Sequence, residues 1–178
     1  MSRVGRKPVA LPKGVTIKVN DGQVVVKGPK GELKRAVPTG VTIAVQGQSA
    51  TFAREGDEPS LRAKHGLIRA LVNNMVIGVT QGFTRELEIN GVGYKCEVKG
   101  THVNLALGYS HPIDYPLPAG VSCKVEKNKI TLTGIDKESV GLAAAKLRSF
   151  RVPDPYKQKG IKYAEETIRK KVGKTGAA

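Results

Sequence analysis

The sequence predicts an α+β chain of two similar small domains, each a mainly antiparallel sheet packed against one helix, with a basic C-terminal tail. Three observations predict it: one turn that occurs three times, one strand-and-helix unit that occurs twice, and alternation of apolar residues in the segments between. The turn is Pro-x-Gly-Val at 12–15, 38–41 and 118–121, each time at the head of an apolar run. A shift of 80 residues lays 37–71 on 117–150, with turn, strand, polar turn, strand and helix in the same order, which marks an internal duplication. A shorter match, at a shift of 106, superposes 12–28 on 118–134 as strand, tight turn and strand. The expected division is an N-terminal domain at 1–81, its duplicate at 82–152 and the tail at 153–178.

The strands follow from period-two alternation. Val15, Ile17 and Val19 share one face, as do Val41, Ile43 and Val45, and Val121, Cys123 and Val125. Asn20-Asp21-Gly22 and Asn90-Gly91 supply residues that tolerate positive φ, as two-residue hairpin turns require. Half-buried strands need a cover, and two helices are available. The first starts near Glu58, with Asp57 as N-cap and Pro59 in the first turn, and carries the stripe Leu61, Ile68, Val72, Met75 and Val79. The second runs from about Lys137 to Phe150, capped by Asp136, with Val140, Ala143, Ala144 and Leu147 inward. Pro153 and Pro155 then eject the chain from the second domain. In the tail, Ala164, Ile168 and Val172 predict a short helix from about Tyr163 to Val172, ordered against a partner.

Charge indicates the partner. The net charge is +15, and it sits at the ends: residues 1–35 hold 9 Lys or Arg against 2 acids, 36–145 hold 11 against 10, and 146–178 hold 10 against 3. A near-neutral middle between basic ends suits a partner made of phosphates, because each neutralised phosphate releases counterions. The ends lack the bulky apolar face a bilayer surface would need, and no run is long enough to span one, so no membrane partner is expected. The start has basic residues without an apolar stretch behind them, which does not make a secretory signal and points to the cytoplasm. Cys96 and Cys123 form no Cys-x-x-Cys pair and read as reduced strand residues.

No constellation points to catalysis. Gly173-Lys174-Thr175 resembles the end of a P-loop, but the required earlier glycine is Ile168. Gly91-Val92-Gly93 lacks the third glycine of a dinucleotide site, having Cys96 there, and reads as a bulge or turn inside a hairpin. His65 reads as a solvated helix residue, and His102 and His111 as loop residues, without metal-ligand spacing. Glu55, Asp57 and Glu58 read as helix-capping charge. No enzyme, cofactor, metal or small-molecule substrate is expected. The informative signal is aromatic and basic: Tyr156, Lys157, Lys159, Lys162 and Tyr163 around Gly160, continued by Arg169, Lys170 and Lys171. Tyrosines stack on bases or pack on sugars, and lysines meet phosphates, which suits structured RNA better than duplex DNA.

These residues carry a resemblance. The stretch 153–161, "PDPYKQKGI", resembles the signature of the large-subunit ribosomal protein number six family in its bacterial form: Pro, an acidic or polar residue, any residue, Tyr-Lys, a small residue, Lys-Gly and an aliphatic. "SRVGRKPVALPKGV" (2–15), "NGVGYK" (90–95) and "LGYSHP" (107–112) are also similar, and the resemblance covers essentially the whole chain. Gln158 departs from the small position of the signature. The resemblance implies two similar α/β domains and a structural component of the large ribosomal subunit. Its implied partners are large-subunit rRNA near the factor-binding region, beside the sarcin-ricin loop and the stalk base, and neighbouring large-subunit proteins there. It gives Tyr156, Lys157, Lys159 and Gly160 as rRNA contacts, with Gly91, Gly93, Tyr94, Lys95, Tyr109, Ser110 and His111 as further candidates on the second domain. An RNA-binding or RNA-processing protein outside the ribosome is the alternative.

Overall fold

The computed structural model describes residues 4–20 and 22–174, so Ser2, Arg3, Asp21 and Thr175, named above, lie outside it. The chain divides into two compact units. The first runs to Phe83 and takes in Ile135–Lys137; the second holds Thr84–Gly134 and the chain from Glu138 onward.

The first unit has β1 (Val9–Ala10), β2 (Thr16–Asn20), β3 (Gln23–Gly28), β4 (Gly31–Ala36), β5 (Val41–Gln46), β6 (Ser49–Arg54) and α1 (Pro59–Thr80). They form two antiparallel sheets, ordered β2-β3-β4 and β1-β6-β5. Val24 and Val26 of β3, Ala50 and Phe52 of β6, and Ile68, Val72, Met75, Val76 and Val79 of α1 make one core. In the second unit β7 (Phe83–Asn90), β8 (Lys95–Lys99), β9 (His102–Ala106), β10 (Ile113–Pro116), β11 (Val121–Glu126), β12 (Lys129–Gly134) and α2 (Lys137–Phe150) repeat that order, and β13 (Gly160–Tyr163) is added. Its sheets are β10-β9-β8 and β11-β12-β7-β13.

The duplication extends to individual pairings. In β5/β6, Val41 faces Arg54 and Gln46 faces Ser49; in β11/β12, Val121 faces Gly134 and Glu126 faces Lys129. Every one of these positions differs by the 80 residues of the sequence shift. The recurring turn has a common cause as well. Gly14, Gly40 and Gly120 take φ of 87°, 81° and 79°. The Val15 and Val121 amides donate back to the Pro12 and Pro118 carbonyls at 3.2 Å, closing turns whose third residue must accept positive φ.

Several expectations are corrected, and the simplest is His102, which is the first residue of β9 and not a loop residue. Asn90-Gly91 closes no hairpin, because β7 and β8 lie in different sheets; residues 91–94 carry the chain from one sheet to the other. Gly91-Val92-Gly93 is therefore a crossover turn, not a feature inside a hairpin. Asp57 does not cap α1. Its carboxylate pairs with Arg54, and the N-cap is Glu58, which makes no side-chain cap hydrogen bond. His65 is not solvated: it is 4 % exposed, with Nε2 3.1 Å from the Phe52 carbonyl oxygen. It stands four residues after Leu61 and three before Ile68, so the helical period puts it on the apolar stripe. The helix expected at 163–172 does not form. Finally, the chain past Pro155 is not all tail. After a turn it returns as β13, antiparallel to β7, with Ile161 opposite Ile89 and fully buried. Burying that side chain contributes about 1.5–3 kcal/mol, more than a thin apolar stripe on an isolated helix could offer.

α2 matches its expected bounds and inward face: Val140, Ala143, Ala144 and Leu147 are buried. Leu87, Ile89, Ile130 and Leu132 from the sheet join them in the core of the second unit.

Candidate nucleic-acid interface

Two pieces of surface in the second unit meet at Arg151. The first is aromatic. The turn after β7 returns Tyr94 onto Gly91, so closely that a Cβ at Gly91 would stand 2.5 Å from the ring. A Cβ at Gly108 would stand 3.4 Å from the same ring, which ties the 91–94 turn to the bend at 107–111. On that bend Tyr109 is half exposed, and its hydroxyl donates to the Phe150 carbonyl at the end of α2 at 2.9 Å. The Arg151 guanidinium lies 4.9 Å from the Tyr109 ring centroid, a cation–π distance. Its charge is secured by hydrogen bonding to the Tyr109 hydroxyl first and by the Tyr94 phenol second, both raising an already high value. Ser110 and His111 are exposed on the same bend, and Gly93 and Lys95 are exposed beside Tyr94.

The second piece is the turn at 153–160. The Ile161 amide donates to the Arg151 carbonyl at 2.8 Å, which anchors β13 to the residue under Tyr109. Asp154 organises the turn. Its Oδ2 accepts from the Lys157 amide at 2.9 Å, its carbonyl accepts from the Gln158 amide at 2.8 Å, and its own amide donates to the Lys159 carbonyl at 3.0 Å. Gln158 has φ +58°, a left-handed conformation that costs a non-glycine residue about 1–3 kcal/mol, which accounts for a small residue at this place in the signature. The turn thereby presents Tyr156, 51 % exposed, and the exposed Lys157 and Lys159.

The sequence candidates separate into two groups. Tyr156, Lys157, Lys159, Arg169, Lys170 and Lys171 are outward, and among the described residues none of these cations is in an ion pair. Gly160, Lys162 and Tyr163 are residues of β13 and engage their own chain. Gly160 is buried, and a Cβ there would come within 2.7 Å of the Arg151 carbonyl oxygen and of Pro153 Cα, so the close approach it permits is to its own chain. Lys162 is paired with Glu88 across β13/β7 at 3.0 Å. Tyr163 lies between two guanidiniums, with Arg85 at 5.3 Å and Arg148 at 5.9 Å from its centroid.

Sequence reasoning missed Arg151, Arg148 and Glu166. The Arg148 Nε and Nη2 donate to Glu166 at 2.8 and 2.5 Å, a fork that ties the chain after β13 to α2. Glu166 is held below the usual carboxylate range, by Arg148 first, against the opposing effect of burial. One signal was present, since Arg148 and Arg151 stand at the end of a helix followed by the basic segment. Their partners lie elsewhere in the sequence, where no spacing rule reaches. Burial pushes the Cys96 thiol up to about 12 and the Cys123 thiol up to about 11, which favours the protonated form of both. Among the described residues no group of His, Cys, Asp and Glu is arranged to hold a metal ion.

Comparison with known proteins accords with the duplicated fold. The family described as Ribosomal protein L6 matches the chain twice, over residues 11–82 and 90–164, once for each copy of the duplicated fold. The large ribosomal subunit protein uL6 of Geobacter sulfurreducens is 55 % identical over 177 residues, covering 99 % of both chains. The proteins of the same name from Koribacter versatilis and Clostridium perfringens are 54 % and 52 % identical, each with 99 % of both chains covered. With both halves matched and full-length relatives at such identity, the chain belongs to the ribosomal protein L6 family.

Proposed function

We propose that this chain is a structural constituent of the large ribosomal subunit in the bacterial cytoplasm, and that it holds rRNA through the surface of its second unit where Arg151 joins the tyrosine pair to the 153–160 turn. That juncture carries the reading: Tyr109 and Arg151 in cation–π contact, bonded through the Arg151 carbonyl to β13, with Tyr156, Lys157 and Lys159 on the adjoining turn. The chemistry is passive. Exposed tyrosine rings pack on sugars or bases, unpaired lysine and arginine charges neutralise phosphates, and folded strands fix their spacing. The contacts are assigned to Tyr156, Lys157, Lys159, Arg169, Lys170 and Lys171, with Tyr94, Lys95, Tyr109, Ser110, His111 and the backbone at Gly91 and Gly93. Gly160, Lys162 and Tyr163 support the surface from within. The rRNA is that of the factor-binding region, at the sarcin-ricin loop and stalk base, with the large-subunit proteins there as neighbours. The role calls for no substrate, cofactor or membrane.

The test is sedimentation of the tagged protein from cell lysate, followed by binding to protein-free large-subunit rRNA across a salt series. Co-migration with the large subunit through a high-salt wash is expected. If about six to ten phosphates are contacted, affinity for the free rRNA falls roughly a thousandfold to a hundred-thousandfold between 50 and 200 mM salt. A protein found free at the top of the gradient, or a salt-insensitive complex, would defeat the proposal.

A further inference from the structure

The segment that follows β13 has no helix or strand from residue 164 to 171, yet it does not leave the surface. Its near end is held at the sheet: the Ala164 amide donates to the Glu86 carbonyl at 3.1 Å, and the Glu166 carboxylate accepts the Arg148 fork and the Tyr163 amide. Its far end is held at the 153–160 turn. The Gln158 side-chain amide donates to the Ile168 carbonyl at 3.2 Å, and the Lys171 amide donates to the Pro155 carbonyl at 3.0 Å. The chain is thus a strap drawn back across the turn, and Gln158 supplies the side chain that holds it. The same residue sits at φ +58°, a conformation glycine would adopt without strain, and glycine would have no side-chain amide to offer Ile168.

From this juxtaposition we infer that Gln158 is a positioning residue: it secures the strap on the turn so that Arg169, Lys170 and Lys171 meet rRNA as one body with Tyr156, Lys157 and Lys159. The inference rests on the rRNA reading of this surface. A free basic segment must be ordered as it binds, whereas a strap already bonded to the turn has lost that freedom beforehand, so the same charges bind more tightly. Gln158 itself need not touch RNA.

Two variants of the full-length chain separate this role from a structural one. Gln158→Gly removes the side-chain bond and relieves the left-handed strain, so the fold is kept. Gln158→Asn tolerates the same φ but is one methylene too short to reach the Ile168 carbonyl. Hydrogen exchange at residues 167–172 and affinity for protein-free large-subunit rRNA are measured for both, at several salt concentrations. The expected result is a tenfold or greater loss of protection at the Lys171 amide, with Gly160–Tyr163 unchanged, and a three- to tenfold loss of affinity. The slope of log affinity against log salt should stay the same, because the charges still reach their phosphates. Unchanged protection, or lost protection with wild-type affinity, would overturn the inference. A lower salt slope would also overturn it, since the charges would then have lost contacts rather than order. Failure of the wild-type protein to bind rRNA would instead remove the underlying reading, while the exchange data would still report whether Gln158 holds the strap.

Discussion

The sheet β1-β6-β5 of the first unit and the sheet β11-β12-β7-β13 of the second are built from matching strands in matching register, but one has three strands and the other four. The difference lies at one edge. β1 has two residues, and Pro8 precedes it while Pro12 follows shortly after, so the chain there lacks the amides and the length to accept a further strand. Its counterpart β7 has eight residues and pairs along Leu87–Asn90 with β13. An edge long enough to be extended is where the second copy acquired the turn that presents Tyr156, Lys157 and Lys159. Duplication supplied two scaffolds; edge length decided which one carries the added strand and its turn.

The largest test of that contrast is truncation after Val152, which removes β13, the turn and the strap together. It should lower the stability of the second unit by about 1.5–3 kcal/mol from the loss of Ile161 burial alone. Amide exchange should accelerate in β7 and β12 but not in β5 and β6, and rRNA binding should largely disappear. A truncated chain with both sheets equally protected would mean that β13 is an accessory to the surface and not part of its support.

Gly160→Ala addresses the same edge with a single methyl group. With its Cβ forced to 2.7 Å from the Arg151 carbonyl oxygen, it should cost about 1–3 kcal/mol in urea unfolding. The recurring turn is the control: Gly14→Ala and Gly120→Ala meet nothing within 4 Å, so both carry only the strain of positive φ and should cost the two units the same amount.

Arg151→Ala is a smaller change and acts on binding. Losing the guanidinium and its cation–π contact with Tyr109 should weaken rRNA affinity several-fold and reduce the salt slope by about one. A chain-melting curve close to wild type would accompany it. An unchanged salt slope would exclude a phosphate contact for Arg151.

The smallest effect is in pH. Glu166 is held below its ordinary value in the folded chain, so the stability it contributes is fully present above the unfolded carboxylate pKa and is lost as pH falls through the lower folded value. Wild type should therefore exceed Glu166→Gln in stability at neutral pH, and the gap should close as the pH falls below the usual carboxylate range. A gap independent of pH would mean that the Arg148 fork does not depend on the charge of Glu166.

Much of this fold was legible because its signals are local. A Pro-x-Gly-Val turn, alternating valines and a repeated order of elements depend on neighbouring residues, and the turn glycines and the 80-residue register follow from them. The two helices could be read from apolar spacing. What the sequence could not supply was each segment's partner. Ala164, Ile168 and Val172 have helical spacing, but the segment's hydrogen bonds go to Glu86, Gln158 and Pro155. His65 has a polar side chain, but the helical period carries it into the core, where its Nε2 meets the Phe52 carbonyl. The residues 160–163 look like a polar tail until β7 offers an open edge, and Arg151 looks like one more basic residue until Tyr109 is brought over it. Local preference is set by a few adjacent residues, whereas burial and hydrogen-bond partnership are set by segments brought together from distant parts of the chain. Composition and period therefore determined the two scaffolds and the basic, tyrosine-bearing character of the last stretch, and only tertiary pairing decided which of its basic residues lie exposed and which are paired.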